Sequence, residues 1–195
     1  MKRQPNQTST TRWLDPHSYQ KEWGERSQML LELFLKYECL DSSTELHFVE
    51  YGCGPYSPFS SLIVQTTNHR ATRCDITAWD TYVHIVDLNK NITTLPDCDV
   101  SVFSGVLEYL DDIENVLKAT FSFSNFILCS YAFLPQNAKL DDSIYIQTRE
   151  KRVNKNGWRN HLTVAEFTQL LTRVGVVSAI GCWGNNQVLF CIRGR

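Results

Sequence analysis

The 195-residue sequence has no apolar run near the roughly 20 residues that a membrane-spanning helix needs. Its opening stretch, Met1 to Thr11, is polar and rich in Ser, Thr, Gln and Asn, without the apolar core of a signal peptide. No C-x-x-C pair occurs among the seven cysteines, which lie scattered at Cys39, Cys53, Cys74, Cys98, Cys129, Cys182 and Cys191. Such an odd, dispersed set, partly inside apolar β-prone runs, argues against a disulfide framework or a zinc site, and no metal is expected. An excess of one charge is missing too. With 19 basic and 21 acidic residues the net charge is -2, and no basic stripe offers itself to phosphates, which disfavours nucleic acid as a partner. Neither an internal repeat nor a low-complexity block occurs. Asn91-Ile92-Thr93 has the form of a glycosylation acceptor. Without a secretion signal it reads as chance, and the cytoplasm is the expected compartment.

What remains is an ordinary globular composition, 43% hydrophobic, of a length that suits one domain with a real core. Leu30, Leu33, Phe34, Tyr37 and Leu40 recur at helical spacing and predict a helix over Gln28 to Leu40. The aromatic lead-in before it, Trp13 to Tyr19 with Trp23, reads as a staple on the domain or a lid. The expected division is therefore an arm over residues 1–26 and one domain over 27–195. Strand-like runs follow at Leu46 to Tyr51, Ala71 to Ile76, Tyr82 to Leu88, Val100 to Ser104 and Phe126 to Tyr131, with helices expected at Pro58 to Gln65 and Ile113 to Ala119. From Leu134 to Arg159 the chain reads as a long polar, irregular loop. Thr163-Val164-Ala165-Glu166 is a capping box opening a helix with Phe167, Leu170, Leu171 and Val174 on one face, stopped at Gly175. Val176 to Trp183 and Gln187 to Ile192, joined by Gly184-Asn185-Asn186, form a hairpin signal. Strands alternating with helices predict a doubly wound α/β fold, and the closing hairpin makes the last strand of a seven-stranded, mostly parallel sheet antiparallel.

The segment that carries chemistry is Glu50-Tyr51-Gly52-Cys53-Gly54, directly after the first strand. Glycines at such a turn let a ligand approach the backbone. The third glycine of a dinucleotide fingerprint would fall at Ser57 and is absent. Asp75, at the next strand end, is placed to take ribose hydroxyls. The pattern Glu50-x-Gly52-x-Gly54, then Asp87-Leu88, then Asp99 to Leu110 resembles the class I S-adenosylmethionine-dependent methyltransferases, from about Trp23 to the C-terminus.

That resemblance implies a Rossmann-like fold, S-adenosyl-L-methionine as cofactor, and a role for several positions. Glu50 matches the acid that orients the glycine loop; Gly52, Cys53 and Gly54 match the loop beneath the cofactor. Asp75 matches the ribose carboxylate, Asp87 and Leu88 the adenine-contacting pair, and Ser104 with Gly105 the loop beside the methionine moiety. The dozen residues between Asp75 and Asp87 leave the intervening helix shortened or missing, while Pro55 and Pro58 stiffen the glycine loop. Arg26 is either a partner for the cofactor carboxylate or, preferred, a solvated helix-entry charge.

For the transfer itself, His161 is the candidate base, since an ordinary histidine titrates near neutrality. Glu108 and Tyr131 are further candidates facing cofactor or acceptor. Arg149, Arg152 and Arg159 read as grips for an anionic acceptor or as solvated charges, and Tyr19 and Trp23 as covers. The expected partner is a small polar methyl acceptor, a sugar or other metabolite, methylated at O or N. The oligomeric state is open, a homodimer included. A nicotinamide-dependent oxidoreductase and a non-catalytic partner subunit are the alternatives.

Overall fold

The computed structural model of the chain describes residues 15, 20, 22–38, 43–134, 143–184 and 187–195, with backbone alone at 144 and 145. Most of the aromatic lead-in, including Trp13 and Tyr19, lies outside the described residues, as do Cys39, Leu40 and the hairpin tip Asn185-Asn186. In chain order the elements are α1 (Glu22–Tyr37), β1 (His47–Tyr51), α2 (Pro58–Thr66), β2 (Arg70–Asp75), β3 (Val83–Ile85) and β4 (Val100–Phe103), then a 3-10 turn (Leu107–Tyr109). After it come α3 (Ile113–Thr120), β5 (Phe126–Ala132), α4 (Ser143–Lys151), α5 (Val164–Val174), β6 (Val176–Trp183) and β7 (Gln187–Arg193).

One seven-stranded sheet has the order β3-β2-β1-β4-β5-β7-β6. β1 pairs parallel with β2 and β4, and β4 with β5; only β7 runs against its two neighbours. This is the expected doubly wound, mostly parallel arrangement with its antiparallel hairpin strand. The side chains alternate between two cores. Phe48, Val100, Val102, Leu128 and Leu189 pack with Leu30, Phe34, Phe59 and Ile63 of α1 and α2. Val49, Tyr51, Phe103, Ile127, Cys129 and Phe190 pack with Val116, Leu117, Phe167 and Leu171 of α3 and α5. A sheet covered on both faces is what lets parallel strands read as nearly continuous apolar runs. Strand order reverses between β1 and β4, which opens a crevice at their C-terminal ends, where α/β folds bind ligands.

Four expectations need correction. Helix α1 starts at Glu22, six residues before the predicted Gln28, so the expected boundary at residue 26 lies inside it. Its buried face is Arg26, Ser27, Leu30, Leu31 and Phe34, whereas Tyr37 is half exposed. Within the segment expected as an irregular loop, residues 135–142 lie outside the described residues, but Ser143–Lys151 is helical and runs into a five-residue π turn, Arg152–Asn156. The third strand is only Val83–Ile85, shorter than the expected Tyr82 to Leu88; the helix expected to be shortened or missing before it is missing. Among the described residues, no helix is long and apolar enough to cross a membrane.

Candidate functional site

Glu50 points its carboxylate at the start of α2, accepting the Phe59 amide at 3.1 Å and the Ser60 amide at 2.8 Å. The cap residue itself, Ser57, has φ 44 and gives α2 no side-chain cap, so a neighbouring strand supplies the anion that a helix N-terminus favours. Burial pushes the Glu50 carboxyl up to about 7, against the pull of those amides and of Arg26. Its observed work is to lock the glycine loop onto α2.

Within that loop the two glycines differ. Gly52 has φ +66, and a Cβ there would lie 2.5 Å from Val106 Cγ2. It is small so that the loop after β4 can pack against it. Gly54, with φ +62, has nothing within 4 Å of a would-be Cβ. Its backbone alone borders open space. The Gly54 amide donates to Asp75 Oδ2 at 2.8 Å, and the Thr77 amide to Asp75 Oδ1 at 3.1 Å. Burial raises the Asp75 carboxyl, with the Gly54, Thr77 and Ile76 amides and the Trp79 indole acting against it. Cys53 is buried, its amide is spent on the Cys74 carbonyl, and burial pushes its thiol up to about 12. Asp87 is taken by the Asn89 amide and by Lys90, and Leu88 packs into the core beside it.

Across the crevice, Arg26 is not the solvated charge that was preferred. It is 6% exposed. Its Nε donates to Ser104 Oγ at 2.9 Å, Nη2 to the Ser104 carbonyl at 3.1 Å and Nη1 to Gln187 Oε1 at 3.2 Å. The guanidinium lies 6.0 Å from the Trp23 ring and 5.3 Å from the Trp183 ring, within reach of a cation–π attraction. It also fills the space over Gly105, where a Cβ would meet it at 2.6 Å. The Gly105 amide is held by Ser130 Oγ at 2.8 Å.

Behind this loop stands Glu108, 1% exposed, whose Oε1 accepts the Ala132 amide at 2.9 Å. Its Oε2 is buried with no partner among the described residues. Burial raises its carboxyl, opposed by the charges of Arg26 and Arg152. Arg152, read from sequence as a grip or a solvated charge, is buried instead. It donates to the Ala132 and Phe133 carbonyls and stacks on Trp158 at 4.8 Å. Tyr131 has no exposed surface; its hydroxyl donates to Asn160 Oδ1 and accepts the Leu162 amide at 2.9 Å.

Sequence reasoning missed two clamps. Asn160 Nδ2 donates to the Leu107 and Leu110 carbonyls at 2.7 and 2.9 Å. Asn89 donates to the Tyr109 carbonyl at 3.1 Å and accepts the Asp111 amide at 2.8 Å. Both fix the turn after β4, and only their position next to expected site residues hinted at it. His161 lies in the same quarter with both ring nitrogens buried and unpartnered among the described residues. Burial and the charges of Arg149 and Arg152 hold it below the usual histidine range.

The solved structure of the mitomycin 7-O-methyltransferase MmcR matches this architecture with a TM-score of 0.63 and 16% identity, over 97% of this chain and 62% of that one. The magnesium protoporphyrin IX methyltransferase from Synechocystis PCC 6803, with bound SAH, matches at TM-score 0.66 and 12% identity, over 95% of this chain and 94% of that one. The N-terminal domain of EvdMO1 with SAH bound gives TM-score 0.60 and 14% identity, over 92% and 84%. This chain has the class I methyltransferase fold. It spans 54–62% of the length of several such neighbours. No family model and no curated protein matches the sequence.

Proposed function

We propose that the chain is an S-adenosylmethionine-dependent methyltransferase that methylates an oxygen or nitrogen of a small polar molecule. The observation that carries this is the pair Gly54 and Asp75. A left-handed glycine with open space beside it donates to a half-buried carboxylate at a parallel strand end, the position from which a carboxylate can take ribose hydroxyls. The residues fit the cofactor at both ends. Asp75 would hold the ribose, and Arg26, a desolvated fork between two indoles, would hold the methionine carboxylate beside Ser104 and Gly105. Asp87 and Leu88 are assigned to the adenine side, and Glu50 and Gly52 to shaping the loop.

Bound S-adenosylmethionine supplies a methyl group already activated on a sulfonium, so the protein's tasks are binding, orientation and exclusion of water. For an oxygen acceptor, His161 is the proposed base: burial and the nearby arginines hold it below the usual histidine range, which favours the neutral imidazole that a proton acceptor needs. Glu108 Oε2, buried and unspent, is the second acceptor in reach of the turn after β4. Tyr131 is proposed as a positioning residue that sets Asn160 and, through Leu162, the segment bearing His161. Calorimetry with S-adenosylmethionine and S-adenosylhomocysteine tests the reading. Saturable binding of both is expected, and binding of neither would end it. The nicotinamide alternative has less support, because the third fingerprint glycine is replaced by Ser57 and the fold's neighbours are methyltransferases.

A further inference from the structure

Beyond the turn after β4, the surface opens into a groove of about 440 Å³ lined by Asp111, Arg149, Val153, Trp158, Arg159 and His161, among others. Hydrogen bonds tie its wall to the turn after β4 that carries Glu108. The Arg159 amide donates to the Glu108 carbonyl at 2.8 Å, and Trp158 Nε1 to the Tyr109 hydroxyl at 2.9 Å. Asn89 ties the same turn to the loop that carries Asp87.

Among the described residues that line the groove the charges do not cancel: Asp111 is the one carboxylate, and Arg159 Nη1 is already bonded to it. Arg149 has no carboxylate partner among the described residues. His161 adds two buried nitrogens without partners there. An unpaired buried polar group is costly, so a site that keeps one beside a guanidinium with no carboxylate partner among the described residues has a polar demand that a ligand can meet. Trp158 and Val153 give the same groove an apolar wall. Trp158 is held rigidly, with Arg152 at 4.8 Å over its ring and Tyr109 edge-on at 6.5 Å.

We propose that this groove takes the methyl acceptor as a flat organic anion, its carboxylate held by Arg149 beside the His161 imidazole and its ring on Trp158. The proposal rests on the methyltransferase reading for the word acceptor, while the binding it asserts is independent of that reading. Arg149 supplies the charge and the fork, Trp158 the apolar face, and His161 a hydrogen-bonding group next to the carboxylate.

The test uses benzoate and its uncharged isostere benzamide on the full chain without methyl donor. The readout is the Trp158 indole N–H resonance in a nitrogen–proton correlation spectrum, assigned with a Trp158→Phe variant. Benzoate is expected to shift that resonance saturably, with Kd on the order of 1 mM, while benzamide leaves it in place. Arg149→Gln should weaken benzoate about tenfold, and Arg149→Lys should recover part of the loss. Spectral dispersion of the exposed Arg149 variants checks that they are folded. Absence of a benzoate shift, an equal response to benzamide, or an Arg149→Gln variant as responsive as the parent would each overturn the proposal. Calorimetry with S-adenosylhomocysteine on the same samples separates the two readings. Homocysteine-nucleoside binding unchanged in Arg149→Gln isolates a failure to the groove, and benzoate binding without it would leave the groove standing while removing the methyltransferase.

Discussion

At the scale of single residues, three left-handed glycines in one crevice serve three different neighbours: Val106 at Gly52, open space at Gly54 and the Arg26 guanidinium at Gly105. Substitution should separate them. Gly52→Ala adds a backbone penalty of roughly 1–2 kcal/mol to a direct collision with Val106. Val106→Ala in the same chain should recover the collision part, a coupling of about 1 kcal/mol in a denaturant-based double-mutant cycle. Gly54→Arg pays only the backbone part; it should fold and lose affinity for S-adenosylhomocysteine, and unchanged affinity would place the ligand elsewhere. Glu50 makes a further prediction. Its carboxyl sits at about 7 in the fold, against about 4.3 in an unfolded chain. The native state thus keeps a proton that the unfolded state gives up. This stabilisation is complete below about pH 4 and is lost as pH climbs to about 7, a change of up to about 4 kcal/mol. Asp75 and Glu108 are raised by burial as well and slope the same way. Urea unfolding at pH 5 and pH 8 should therefore show a weaker loss of stability with pH in Glu50→Gln than in the parent; an identical slope would mean that Glu50 is not desolvated.

Among elements, legibility followed how local the signal was. The capping box of α5 was readable because its partners are three residues apart. Thr163 Oγ1 accepts the Glu166 amide at 3.3 Å, and the Thr163 amide donates to Glu166 Oε2 at 2.8 Å. Thr163→Ala should accordingly cost about 1 kcal/mol in chemical denaturation, with no effect on cofactor affinity if α5 serves only as scaffold. The start of α1 was not readable. Its first turns carry Glu22, Glu25 and Arg26, and Arg26 is bonded to Ser104 and Gln187, 78 and 161 residues away. Helix α4 was missed for a related reason: Ile144, Tyr145 and Ile146 stand consecutively, so no apolar stripe at helical spacing announces it. In the site the same division holds. Glu50, Gly54 and Asp75 were visible because turn chemistry and strand ends mark them, whereas the burial of Arg26 and Arg152 arises only from tertiary packing.

For the whole molecule, the sheet order puts the proposed donor crevice at the β1–β4 reversal and the groove beside it, and both depend on loops held by hydrogen bonds across the C-terminal edge. A ligand that occupies the crevice must therefore stabilise the entire fold, because it binds the native state and not the unfolded chain. At 100 times its Kd such a ligand adds about 2.7 kcal/mol. For a chain of this size about 2–4 °C of Tm accompanies each kcal/mol. S-adenosylhomocysteine at that concentration should thus raise Tm by roughly 5–10 °C, and NADH should leave it unchanged. The Arg26→Ala variant should retain only a small part of the shift, since the desolvated guanidinium is the assigned partner of the methionine carboxylate. A full shift in that variant would reassign Arg26 to structure alone, as the strut that pins α1 to Ser104. A shift produced by NADH in place of the sulfur nucleoside would instead move the crevice to dinucleotide chemistry on the same sheet.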